Sequence, residues 1–182
     1  VHRPVDVSEE DRAHYGGPVG FVGYWEEERA ESIRYLGRSG IPVAVWGPAW
    51  NEEFDGAPNV EVKGDGAYGD DYARAINSFD IALCFLRKMN RDRQTQRSVE
   101  IPACGTFMLA ERTDEHQALF EEGEEAEYFD TNEELLRKVQ YYLGNDDERE
   151  RIARAGRERC LQSGYSYRNR LSKMLNVIKD VV

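Results

Sequence analysis

The sequence is poor in the residues that hold a fold together covalently or through a metal. Cysteine occurs only at 84, 104 and 160, an odd and widely spaced set in apolar or helical surroundings, which argues against a secreted disulfide framework. No CxxC and no Cys/His cluster points to zinc, and no metal is expected. No apolar run approaches the roughly 18 residues of a membrane span, and the first residues form neither a basic nor an apolar leader, so the chain reads as cytoplasmic. Positive charge is scarce too. The 24 Lys and Arg against 35 Asp and Glu leave a formal net charge of −11, which repels a phosphate backbone at long range and argues against a nucleic-acid partner. A small anion still binds where a few arginines converge.

What is present is the pattern of an α/β domain. A chain of 182 residues buries roughly 70 % of its unfolded surface, enough for one full core. Short apolar runs, "VGFVGY" (19–24), "IPVAVWG" (41–47), "NVEVKG" (59–64), "DIALCF" (80–85) and "TFMLAE" (106–111), alternate with helical periodicity. That order predicts a Rossmann-like parallel sheet of about five or six strands with helices on both faces. The first helix places Ala30, Ile33 and Leu36 on one face; Thr131 with Glu134 forms a capping box ahead of Leu135, Val139 and Leu143. Two last helices are divided at Ser163 and Gly164. Residues 1–17, with Pro4, Gly16 and Gly17, read as an irregular lead-in or linker to a domain over 18–182.

In such sheets ligands bind beyond the carboxyl ends of the strands, which directs attention to Gly23, Gly47, Gly64 and Phe85. Gly23 with Arg29 suits a phosphate approaching the backbone, or equally a tight turn before an acidic helix start. The loop "LRKMNRDRQTQR" crowds Arg87, Lys88, Arg91, Arg93 and Arg97 into an otherwise acidic chain. It leads into a helix expected from about Thr95 to Cys104, an anion site in one reading and a solvated loop paired to surface carboxylates in the other. Glu100 on that helix accepts two hydrogen bonds from vicinal hydroxyls such as those of a ribose, or pairs with Arg97 or Arg93. Pro102 bends or ends the helix early. Cys104 is a packing residue, His116 lies on an exposed helix face, and His2 and His14 have no role.

These residues carry a resemblance. "DIALCFLRKMNRDRQTQRSVEIPACGTFMLAE" and "ALFEEGEEAEYFDTNEELLRKVQYYLGNDDERERIARAGRERC" resemble the carboxyl-terminal domain of the spore-maturation-type glycosyltransferases, enzymes of the GT-B fold. The resemblance implies a domain that binds a uridine- or thymidine-diphosphate sugar as substrate, with no further cofactor. It implies that Glu100 in "EIPACG" holds the donor ribose and that Gly23 and Arg29 touch the diphosphate. It puts Asp92, one methylene short of the usual glutamate, at the position that faces the sugar. Arg93, Thr95 and Arg97 would bind the leaving diphosphate, with Arg97 and Asp92 catalytic. "YSYRNR" (165–170) stands where the family carries "HTYxxR", so the histidine of that segment is replaced. A complete GT-B enzyme has two such domains; the implied partner is an amino-terminal acceptor domain, and this piece is expected to transfer nothing alone. The other reading is a non-catalytic domain of the same fold that offers "FEEGEEAEYFD" or its last helix as an interaction surface.

Overall fold

The computed structural model describes residues 2–181; the expected division starts at Val1 and ends at Val182, which lie outside them. Six strands form one sheet in the order β3-β2-β1-β4-β5-β6, and every neighbouring pair is parallel. The strands are β1 (Gly17–Val22), β2 (Val43–Trp46), β3 (Val60–Gly64), β4 (Phe79–Cys84), β5 (Phe107–Glu111) and β6 (Glu127–Phe129). The helices are α1 (Glu9–Tyr15), α2 (Glu27–Arg38), α3 (Trp50–Glu53), α4 (Asp70–Asn77), α5 (Arg97–Ala103), α6 (Asp114–Leu119), α7 (Asn132–Leu143), α8 (Asp146–Gln162) and α9 (Tyr167–Val181).

Both faces of the sheet are buried because successive strand side chains alternate between them. On one face Val19, Phe21 and Val45 pack against Ala30, Ile33 and Leu36 of α2 and Leu135, Val139 and Tyr142 of α7. On the other, Val22, Ala44 and Met108 pack against Tyr72 and Ile76 of α4, Ile101 of α5 and Cys104 just past its end. Gly20 is required here, since a Cβ would stand 2.2 Å from the Phe79 ring that lies across β1.

Four local expectations change, within the five or six strands foreseen. The lead-in contains α1, started by a capping box in which Ser8 and Asp11 satisfy each other's backbone N–H; a local polar pair outweighs the flanking Pro and Gly. The strand expected at 19–24 runs from Gly17 to Val22, and α5 is confined to Arg97–Ala103, ending one residue after Pro102. A sixth strand, β6, emerges inside the acidic run. Glu127 is buried there because Lys138 Nζ reaches it at 2.5 Å and the Tyr142 hydroxyl donates to it at 2.8 Å, partners brought in by α7. The Thr131 cap holds, accepting from Glu134 N at 3.2 Å, while Glu134 reaches back to Asp130 N.

Candidate functional site

The strand order reverses between β1 and β4, so a crevice opens beyond their carboxyl ends, where loops leave in opposite directions. Arg97, the first residue of α5, enters this crevice. Its Nη2 donates to Phe85 O at 3.4 Å, just past β4. Its Nη1 lies where a Cβ on Gly23, just past β1, would stand only 3.1 Å away. The guanidinium sits 5.4 Å above the Phe21 ring, and its Nε is buried with no hydrogen-bond partner. Glycine at 23 is thus a spatial need rather than a conformational one. Gly47 adds the same constraint from β2, since a Cβ there would meet Gly23 O at 1.9 Å.

Arg29 is built in more deeply. It is 4 % exposed, donates through Nε and Nη2 to Leu86 O at 3.2 and 2.9 Å, and through Nη1 to Tyr24 O at 2.9 Å. Burial pulls its pKa down while Glu26 opposes the shift. The Leu86 N–H in turn donates to Glu111 Oε2 at 2.5 Å, so the turn after β4 is gripped on both edges. Arg29 therefore shapes the crevice and adds charge beneath it, and its donors are already engaged.

The basic loop does not converge. Arg87 Nε donates to Glu26 at 2.6 Å, and Lys88 Nζ lies 3.9 Å from Glu111. Arg93 is held by Asp114 and Glu115 in the first turn of α6, where neighbouring cation and carboxylates compensate each other. Arg91 is exposed at the loop tip with φ at +56°. Asp92 donates its backbone N–H to Arg87 O at 3.2 Å and is half-buried; among the described residues its carboxylate has no ion pair, so Arg97 is not paired to it. Of the five cations, Arg97 alone meets Gly23.

Thr95 and Glu100 face a groove of about 510 Å³ between α5, the end of α8 and the start of α9, with His2, Arg157 and Tyr165 on its other walls. Glu100 is one turn along α5 from Arg97, and His2 Nε2 stands 3.1 Å from Glu100 Oε1. Its partner is thus neither Arg97 nor Arg93. Cys104, at the end of the same helix, is fully buried; burial, with help from Glu100, raises its thiol to about 12, which leaves no thiolate for chemistry.

Sequence reasoning missed the support beneath this site. His116 is not exposed; it is completely buried. Its Nδ1–H donates to Glu111 O at 2.6 Å, which leaves Nε2 to accept from Ser98 Oγ at 2.7 Å; Ser98 Oγ accepts from Thr95 N at 2.9 Å. Burial lowers the His116 pKa, against the raising effect of Glu111. The chain of bonds ties the end of β5 to the start of α5. Thr113 caps α6 by accepting from His116 N at 3.0 Å, but it is the stacking of the His116 ring on Tyr128 of β6, a contact with no local sign in the sequence, that turns His116 inward.

The sequence family described as "Glycosyl transferase-like" matches residues 26–176. The carboxyl-terminal domain of a glycosyl transferase group 1 family protein (LpcC) from Francisella tularensis superposes with a TM-score of 0.66 at 13 % identity, over 92 % of this chain and 97 % of that one. Sucrose-phosphate synthase from Thermosynechococcus elongatus gives 0.73 at 15 % identity, over 98 % of this chain and 49 % of that one. HepE from Anabaena, in complex with UDP-glucose, gives 0.65 at 14 % identity, over 85 % of this chain and 49 % of that one. The chain thus spans about half the length of the latter two structures. No curated protein matches it by sequence. The structural likenesses establish the fold, a six-stranded parallel sheet with helices on both sides, as in that carboxyl-terminal domain. With the family match extending from residue 26 to residue 176, across α2 to α9, the chain belongs to the glycosyl transferase-like family.

Proposed function

We propose that this chain is the donor-binding half of a GT-B glycosyltransferase of the spore-maturation type, working in the cytoplasm and holding a UDP- or dTDP-linked sugar as substrate. The observation that carries the reading is Arg97: a guanidinium at the reversal of strand order, against a glycine, with a buried Nε unpaired and Glu100 one turn away. A diphosphate laid over Gly23 meets that guanidinium, and the buried charge of Arg29 lies below. Glu100 then accepts from the ribose hydroxyls. As the bond to the sugar breaks, negative charge grows on the leaving diphosphate. Arg97 stabilises it by a charge already in place. Arg93 reaches phosphate only by giving up Asp114 and Glu115, so its part is smaller; Thr95 lines the approach, and Asp92 takes the position facing the sugar.

The acceptor and its catalytic base belong to a second domain in this reading, supported by neighbours about twice as long; this half binds donor and transfers nothing alone. HepE's complex with UDP-glucose favours a uridine donor. The test is calorimetric titration with UDP, UDP-glucose and dTDP. Loss of the charge-assisted bonds in Arg97→Ala, roughly 1.5–3 kcal/mol, weakens binding about 10- to 100-fold, and Glu100→Ala weakens it as well. Unchanged affinity in both variants overturns the reading. The interaction-module alternative rests on α9, whose Leu171, Met174, Leu175 and Ile178 are each more than half exposed; nucleotide binding that ignores both substitutions, or none at all, favours it.

A further inference from the structure

Among the described residues four buried side-chain polar atoms lack a hydrogen-bond partner, and three of them belong to a connected set: Arg97 Nε from the first residue of the helix that carries Glu100, His2 Nδ1 from the ring that stands on Glu100, and Tyr72 OH from the ring that His2 meets. His2 stands on the Glu100 carboxylate at 3.1 Å and meets the Tyr72 ring edge-on at 5.3 Å. Tyr72 comes from the first turn of α4, with its ring in the apolar layer shared with Ile101 of α5 and with Cys104, which caps that helix. A buried hydroxyl with no partner costs stability, and phenylalanine would fill the same space without that cost. Burial first, then the Glu100 carboxylate, hold the phenol well above its ordinary value. Tyr72 is therefore a neutral O–H donor whose ring meets the same His2 that stands on an acceptor-only carboxylate.

That pairing of a donor with an acceptor is what a vicinal diol requires. Each hydroxyl has one hydrogen to give and lone pairs left to accept; Glu100 takes the hydrogens, and the lone pairs need a donor. We propose that Tyr72 is a second contact to the donor ribose, its O–H donating to one hydroxyl of the diol that Glu100 receives, so that the site selects ribonucleotides over deoxyribonucleotides and, of the two donors named above, takes the UDP-linked sugar over the dTDP-linked one, which lacks the diol. The inference rests on the donor-site reading above and adds to it a residue on a different element. The ribose reaches both groups where His2 gives up its place on Glu100.

The experiment measures UDP, 2′-deoxy-UDP and 3′-deoxy-UDP binding, with melting curves, on the unmodified chain, Tyr72→Phe and Glu100→Gln. The expected result is that Tyr72→Phe melts no lower than the parent, binds UDP about tenfold more weakly, and loses most of the preference over whichever deoxy compound the parent rejects more strongly. The ratio of UDP to deoxy affinities decides the matter even where the melting temperature moves. If Tyr72→Phe leaves that ratio unchanged, with all three ligands weakened equally or none weakened, the assignment of Tyr72 is overturned. If Glu100→Gln still weakens UDP in that case, the donor site stands without Tyr72. If the unmodified chain binds none of the three, both readings fall.

Discussion

Arg97 and Arg93 are four residues apart in one basic loop, yet they have opposite surroundings. Arg93 is exposed between two carboxylates, whereas Arg97 lies over Phe21 with its Nε unpaired. The sequence shows the cluster of cations but not this division, because the carboxylates that claim Arg93 come from α6, some twenty residues on. His116 makes the same point with a measurable consequence. Burial depresses its folded pKa below the ordinary 6.5, so the unfolded chain takes up a proton first as pH falls. Its contribution to stability is complete above pH 6.5 and is lost as pH falls from there through the folded pKa. We expect the melting temperature to decline from pH 7 to 5, and His116→Gln to flatten that part of the profile. A profile equally steep in the variant removes His116 as its source.

At the level of elements, the short pieces are the ones that depend on neighbours. The seven residues of α5, interrupted by Pro102, are too few to be stable alone; they are fixed by Ser98 and His116 at the start and by Ile101 and Cys104 in the core. The three residues of β6 hold a buried glutamate because α7 supplies Lys138 and the Tyr142 hydroxyl. Glu127 and Lys138 are both largely shielded, at 8 % and 14 % side-chain exposure. Removing one partner of such a pair leaves the other charge uncompensated. Lys138→Ala is therefore expected to cost about 3 kcal/mol in urea unfolding; a loss below about 1 kcal/mol would mean that Glu127 finds another partner or takes up a proton. The long amphipathic helices α2 and α7 were legible from periodicity alone, since burying one face is all they require. β6 was not, because nothing in "EEAEYFD" marks its glutamate as inward-facing.

Across the whole molecule, burial is concentrated in the two layers of the sheet sandwich and stops before α9. Every α9 side chain described, from Tyr167 to Lys179, is exposed, and no helix among the described residues is long and apolar enough to cross a membrane. Deleting residues 167–182 should change the unfolding free energy by less than about 1 kcal/mol, because segments with little buried apolar surface open at little cost. A larger loss would mean that α9 packs onto the domain in solution. The sequence by itself determined the alternation of strands and helices, the apolar faces and the concentration of arginines near Glu100, since periodicity and composition are local properties that burial reads directly. Only the tertiary structure decided which arginine meets Gly23, that His2 stands between Glu100 and Tyr72 with a contact to each, and that His116 is buried. Those pairings join residues distant along the chain, and they follow from the reversal of strand order between β1 and β4 and from the packing of α4, α5 and α6 on the sheet, which no local pattern encodes.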